Sequence, residues 1–172
     1  MLTMVLLSGG ALVSGTGPSV SAAARRLVGT VTYSHVSEPI SLRHIREYVA
    51  ATGGDPDTWP AGPGDGPTTA APPLFFHAAC RPVVAERRLQ EDGQYTFLGV
   101  TGVSGRSLAG GNTYEVIAPV YIGDVLTTSE RLVAIDERQG RSGPLVITTT
   151  ETTYTNQRGA LVARYRHVIV FH

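Results

Sequence analysis

The last third of the chain most restricts what it can fold into. From Asn112 onward, four stretches are rich in β-branched and aromatic residues: Asn112 to Val120, Val125 to Glu137, Leu145 to Thr155 and Ala160 to Phe171. Between them lie connections of four to seven residues that hold the turn-forming Gly123-Asp124, Gln139-Gly140 and Asn156 to Gly159. Connections this short join antiparallel neighbours, because a parallel crossover needs a dozen or more residues. In the last stretch Leu161, Ala163, Tyr165, His167, Ile169 and Phe171 point one way. Val162, Arg164, Arg166, Val168 and Val170 point the other way. Bulk on both faces predicts an internal strand.

The front of the chain adds few elements. Leu27 to Val36 reads as a strand. Ser41 caps a helix in which Leu42, Ile45 and Val49 recur at helical spacing, and Gly53 and Gly54 stop it. Gly53 to Pro73 holds five Gly and six Pro in 21 residues, which predicts a long loop or flap. Leu74 to Asp92 begins as an apolar helix that Pro82 should interrupt. Tyr95 to Val103 reads as an irregular connection or short strand. Strand, helix, loop, helix and four antiparallel strands make an α+β layer architecture, with one apolar helix against a sheet.

Composition narrows the function. The 172 residues suit one domain. The 14 basic and 14 acidic residues cancel, which argues against a nucleic-acid footprint. Every basic residue is Arg, so Schiff-base lysine chemistry and a phosphate-loop lysine are excluded. The single cysteine, Cys80, rules out an internal disulfide framework and reads as a buried helix residue. The histidines show no metal-ligand spacing, so no metal is expected. Met1 to Ala24 resembles a signal peptide but has no basic residue ahead of its apolar run. Residues 1–26 are therefore expected to be a flexible extension or a misassigned start, 27–172 a single domain, and the protein cytoplasmic.

Several strings align in order with one family. Ile45-Arg46-Glu47-Tyr48-Val49-Ala50-Ala51-Thr52-Gly53 resembles the helix before the active-site loop of MaoC-like hydratases. Ala71-Pro72-Pro73-Leu74-Phe75 resembles the start of that family's central helix. Gly110 to Val116 with Pro119 to Leu126, Gly140 to Val146, and Tyr154 to Gly159 complete the pattern. The resemblance covers residues 27–172 and is strongest to the N-terminal MaoC-like dehydratase domain. It implies a hot-dog fold, an antiparallel sheet wrapped around a central helix and completed by dimerisation with itself or another hot-dog subunit. It also implies addition or removal of water across the double bond of an acyl thioester. No cofactor beyond the coenzyme A or acyl carrier that bears the substrate is implied.

Active members of the family use an Asp and a His, in a pattern like Gly-Asp-x-Asn-Pro-x-His, to orient water and move a proton to the alpha carbon. Here the loop reads Gly53-Gly54-Asp55-Pro56-Asp57-Thr58-Trp59-Pro60, and the His position falls on Pro60, Ala61 or Trp59. A further His often seen before the Gly-Gly strand is replaced by Ala109. The dyad is incomplete in this chain. The candidate catalytic residues are therefore Asp55, Asp57 and His77. Tyr48, Trp59, Leu74, Phe75, Phe76 and Asn112 are candidates for substrate contact. Three readings remain open: a hydratase component completed by a partner, a repurposed hot-dog enzyme, and a non-catalytic binding or scaffold subunit.

Overall fold

The computed structural model describes residues 17–59, 70–89, 93, 95 and 100–172. Its frame is a five-stranded antiparallel sheet. The strands are β2 (Val31–Val36), β4 (Ser107–Val116), β5 (Thr127–Gly140), β6 (Gly143–Thr155) and β7 (Leu161–Phe171), in the order β2-β5-β6-β7-β4. The last strand is internal, as its two bulky faces predict. A small second sheet pairs β1 (Ser19–Val20) with β3 (Val103–Ser104).

Helix α2 (Leu42–Ala51) begins as expected. Ser41 Oγ accepts from the His44 N–H, and the His44 ring accepts in return from the Ser41 N–H. Ile45 and Val49 are its buried face. Gly53 follows with φ +83°, a left-handed conformation that glycine adopts without steric cost. Helix α3 (Phe75–Ala79) is shorter than the sequence suggests, and only a 3-10 turn (Glu86–Arg88) follows. Pro82 lacks an N–H and disfavours helical geometry at the residue before it, so the helix stops ahead of it rather than bending through it.

Two other boundaries move. Residues 27–30 turn out of α1 (Ala22–Arg26), so the first long strand starts at Val31. Strand β4 starts five residues before the expected Asn112, because Gly110 lets it lie close to β7. A Cβ at Gly110 would meet Val168 Cγ1 at 2.9 Å. Residues 60–69, 90–92, 94 and 96–99, where parts of the expected loop, helix and connection fall, lie outside the described residues, as do residues 1–16.

The expectation of a flexible segment up to residue 26 is corrected for residues 17–26. They form β1 and α1, and Ala24 is fully buried against Val100 and Leu132. Apolar burial supplies the reason, since Val20, Ala24 and Leu27 cover Leu132. The larger core joins α2, α3 and the sheet through Ile45, Val49, Phe75, Phe76, Leu126, Tyr154 and Val162. No helix among the described residues is long and apolar enough to cross a membrane.

Candidate functional site

Residues two apart on a strand share a face. Along β5 and its lead-in, Leu126, Thr128, Glu130 and Leu132 therefore look the same way. Leu126 belongs to the α2–α3 core and Leu132 to the α1 core. The two polar residues between them sit in a gap between the two apolar clusters. The register extends this polarity across all five strands, where Tyr33, Glu130, Thr152, Tyr165 and Tyr114 are successive cross-strand partners. Beside this rung, under the end of α3, lies a cavity of about 70 Å³. Its walls include Thr128, Glu130, Tyr154 and His167 from the sheet, with His77 and Arg81 from the helix side.

His77 is held at both ring nitrogens. An Arg81 guanidinium nitrogen lies 2.8 Å from Nε2, and Tyr154 Oη lies 2.9 Å from Nδ1. Guanidinium only donates, so Nε2 accepts and Nδ1 carries the proton that goes to Tyr154. The imidazole is thus neutral. Burial, then the nearby Arg81 charge, push its pKa down to about 4. The same two causes lower His167. The Tyr154 and Tyr165 hydroxyls and the Glu130 carboxyl are all raised, chiefly by burial. Burial pushes the Cys80 thiol up to about 11, so it is no nucleophile at neutral pH, in line with the buried helix cysteine expected from the sequence.

Arg81 makes no ion pair among the described residues. Besides His77 it meets the Tyr95 ring, 5.8 Å from the guanidinium carbon to the ring centroid. Thr128 is 4% exposed; its hydroxyl lies beside the Cys80 thiol and has no other hydrogen-bond partner among the described residues.

The other sequence candidates divide into three groups. Asp55 and Asp57 are exposed and close their own turn. Asp55 Oδ1 accepts from the Asp57 N–H at 2.9 Å, and its carbonyl accepts from the Thr58 hydroxyl. Neither lines the cavity that His77 lines. Phe75 and Phe76 are buried packing residues. Tyr48 meets Phe75 edge-on at 5.5 Å, Phe76 meets Tyr154 at 4.7 Å, and Leu74 is exposed. Trp59 packs on the same core, and its buried Nε1 has no partner among the described residues. Asn112 is drawn towards His77. It accepts from Tyr165 Oη at 2.8 Å, and the Tyr165 ring meets the His77 ring at 4.8 Å.

Sequence reasoning did not single out Tyr33, Arg81, Thr128, Glu130, Tyr154, Tyr165 or His167 as a group. The available signal was polar residues at i, i+2 spacing inside strands that otherwise bury apolar side chains. The Gly-Asp turn, by contrast, is structural. Asp124 is buried, accepts from the Tyr121 N–H at 2.9 Å, and accepts from Gln157 Nε2 at 3.0 Å. It ties the turn before β5 to the turn after β6, which explains why those two strings occur together.

The solved structures that share the chain's fold include three that it matches over most of their length. The ChsH1-ChsH2 complex from Mycobacterium tuberculosis is 13% identical, with 87% of this chain and 88% of that chain covered and a TM-score of 0.59. The R-hydratase PhaJ1 from Pseudomonas aeruginosa is 17% identical, covering 81% and 78%, with a TM-score of 0.51. The HadBC 3R-hydroxyacyl-ACP dehydratase complex from Mycobacterium tuberculosis is 18% identical, covering 81% and 96%, with a TM-score of 0.51. No curated protein matches the sequence. The model of the FAS1-like dehydratase domain region matches residues 26–165. With that match over most of its length, and an antiparallel α+β hot-dog sheet beneath it, the chain belongs to the family of the FAS1-like dehydratase domain region.

Proposed function

We propose that this chain is the acyl-thioester-binding component of a hydratase or dehydratase, and that a second hot-dog subunit supplies the Asp/His dyad. The observation that carries the reading is the state of the candidate catalytic groups. Asp55 and Asp57 face solvent in a self-closed turn, and no histidine accompanies them in that loop. His77 has no free lone pair, because Arg81 occupies Nε2. A general base must reach the proton it takes, and none of the three is set to do so.

The partner has a place to bind. Strand β4 forms one edge of the sheet, every residue in it is exposed, and Leu108, Tyr114 and Val116 are among its large apolar groups. An exposed edge strand invites pairing with another chain. The substrate is an enoyl or 3-hydroxyacyl thioester on coenzyme A or an acyl carrier, and the chain has no cofactor of its own. The solved ChsH1-ChsH2 and HadBC complexes support the two-subunit form by analogy of fold.

The test is native mass and enoyl-thioester hydration, for the chain alone and after co-expression with candidate hot-dog partners. The expected result is an inactive lone chain and an active heteromer. An active homodimer would overturn the division of labour. A stable heteromer without turnover would instead identify a scaffold subunit.

A further inference from the structure

The cavity beneath α3 combines in its wall apolar groups, among them Cys80, Pro82, Ile169 and the tyrosine rings, with a few convergent polar groups. Its floor is the polar stretch of β5, β6 and β7, flanked by apolar cores on both sides. A hydrocarbon filling it to its end would cover the Thr128 hydroxyl and the Tyr154 hydroxyl proton without pairing them, and buried polar groups left unpaired are costly. The Glu130 carboxyl already accepts from the Thr32 hydroxyl at 3.4 Å. Two features show unused hydrogen-bonding capacity. The Thr128 hydroxyl is buried, with only the weakly hydrogen-bonding Cys80 thiol beside it among the described residues. Tyr154 Oη accepts from His77, and so keeps its own proton free to donate into the cavity it lines. The volume of about 70 Å³ holds about two water-sized groups at the ~30 Å³ each takes in the liquid, enough for the end of an acyl chain.

We infer that this cavity recognises an oxygen-bearing acyl group, hydroxylated or oxo, at the end of the thioester chain, with Thr128 and Tyr154 as the hydrogen-bonding residues and Arg81 as the group that fixes His77 beside them. The inference rests on the proposed acyl-thioester function and adds a substrate class to it. The oxygen accepts from the Tyr154 hydroxyl and, when it is a hydroxyl, donates to Thr128 or Glu130. His77 acts through Tyr154 and is a positioning residue. A site built to pair a substrate oxygen discriminates strongly against the analogue that lacks it.

Equilibrium binding tests this without requiring turnover. The probes are matched coenzyme A thioesters: butanoyl against 4-hydroxybutanoyl, and hexanoyl against 6-hydroxyhexanoyl. They are titrated calorimetrically into the natively purified protein, alone and in its partner complex. At one length or the other the hydroxylated thioester should bind about tenfold tighter or more, tenfold being roughly the worth of one net hydrogen bond. Thr128→Val should bring the two affinities together, by weakening binding of the hydroxylated thioester and strengthening that of the straight-chain one, and Arg81→Met should bring them together by releasing His77 and with it Tyr154. Circular dichroism checks that both variants fold. Equal or tighter binding of the straight-chain probe at both lengths overturns the inference and leaves the thioester function standing. A preference that survives both substitutions also overturns it. No binding of any thioester to either species overturns both readings.

Discussion

Phe76 and His77 are neighbours on α3, but they enter different surroundings. Phe76 is 1% exposed and meets Tyr154 edge-on inside the apolar core. His77 meets the same Tyr154 from the other side, through a hydrogen bond, at the wall of a polar cavity. One tyrosine thus marks a border, its ring belonging to the core and its hydroxyl to the site. The two regions are joined by the same strands, so their difference comes from which side chains β5, β6 and β7 present, not from a change of backbone. Packing holds the first region together. Hydrogen bonds hold the second, where the Thr128 hydroxyl has only the Cys80 thiol beside it among the described residues.

Substitutions on either side of that border should differ in size. Phe76→Ala removes a fully buried ring and should cost about 3–5 kcal/mol, read as a lowered denaturant midpoint. A loss well under that would mean the α3 core repacks easily. Tyr154→Phe keeps the ring and deletes the hydroxyl. It leaves the His77 Nδ1–H without its acceptor and should cost about 1–3 kcal/mol. If it costs nothing, the His77–Tyr154 bond is not what orders the site.

Acid should weaken the polar side selectively. His77 titrates near 4 in the fold and near 6.5 when unfolded, so the unfolded chain takes up the proton first. Stability should fall as pH drops from about 6.5 to about 4 and then level off. His167, also lowered, acts in the same sense. Glu130, raised, acts oppositely, because it keeps its proton in the fold as pH rises through the range where the unfolded carboxyl ionises. Denaturation at a series of pH values, with His77→Gln alongside, measures this. The variant should show the shallower loss, and parallel curves would count against a neutral buried His77. The smallest effect belongs to the loop. Asp55→Ala should change stability by about 0.5 kcal/mol or less and leave thioester binding unaltered. A large loss of binding would return Asp55 to the candidate site.

The fold was largely legible in the sequence, because period-2 patterning and turn residues act locally. The four closing strands, the Ser41 cap and the glycine stop after α2 all follow from neighbours in sequence. The ends of β4 and α3 did not, since close approach at Gly110 and the stop ahead of Pro82 depend on packing and on how abruptly a helix yields. The site was legible only in part. His77 and Asn112 reach the same cluster through Tyr165, but Asp55 and Asp57 do not line the cavity. The cluster itself is spread over Tyr33, Arg81, Glu130, Tyr154 and His167, which lie far apart in sequence. Strand parity places such residues on a common face only after the register is known. No local motif gives that register.

The packing of Ala24 against Leu132 bears on where the protein can be cut. Its match to the family begins at residue 26, but the folded chain already includes β1 and α1 ahead of that point. A recombinant version trimmed to the family boundary would uncover Leu132 and strip β3 of its only strand partner among the described residues. It would be less soluble than the protein it was meant to represent, and a negative result obtained with it would reflect the trimming.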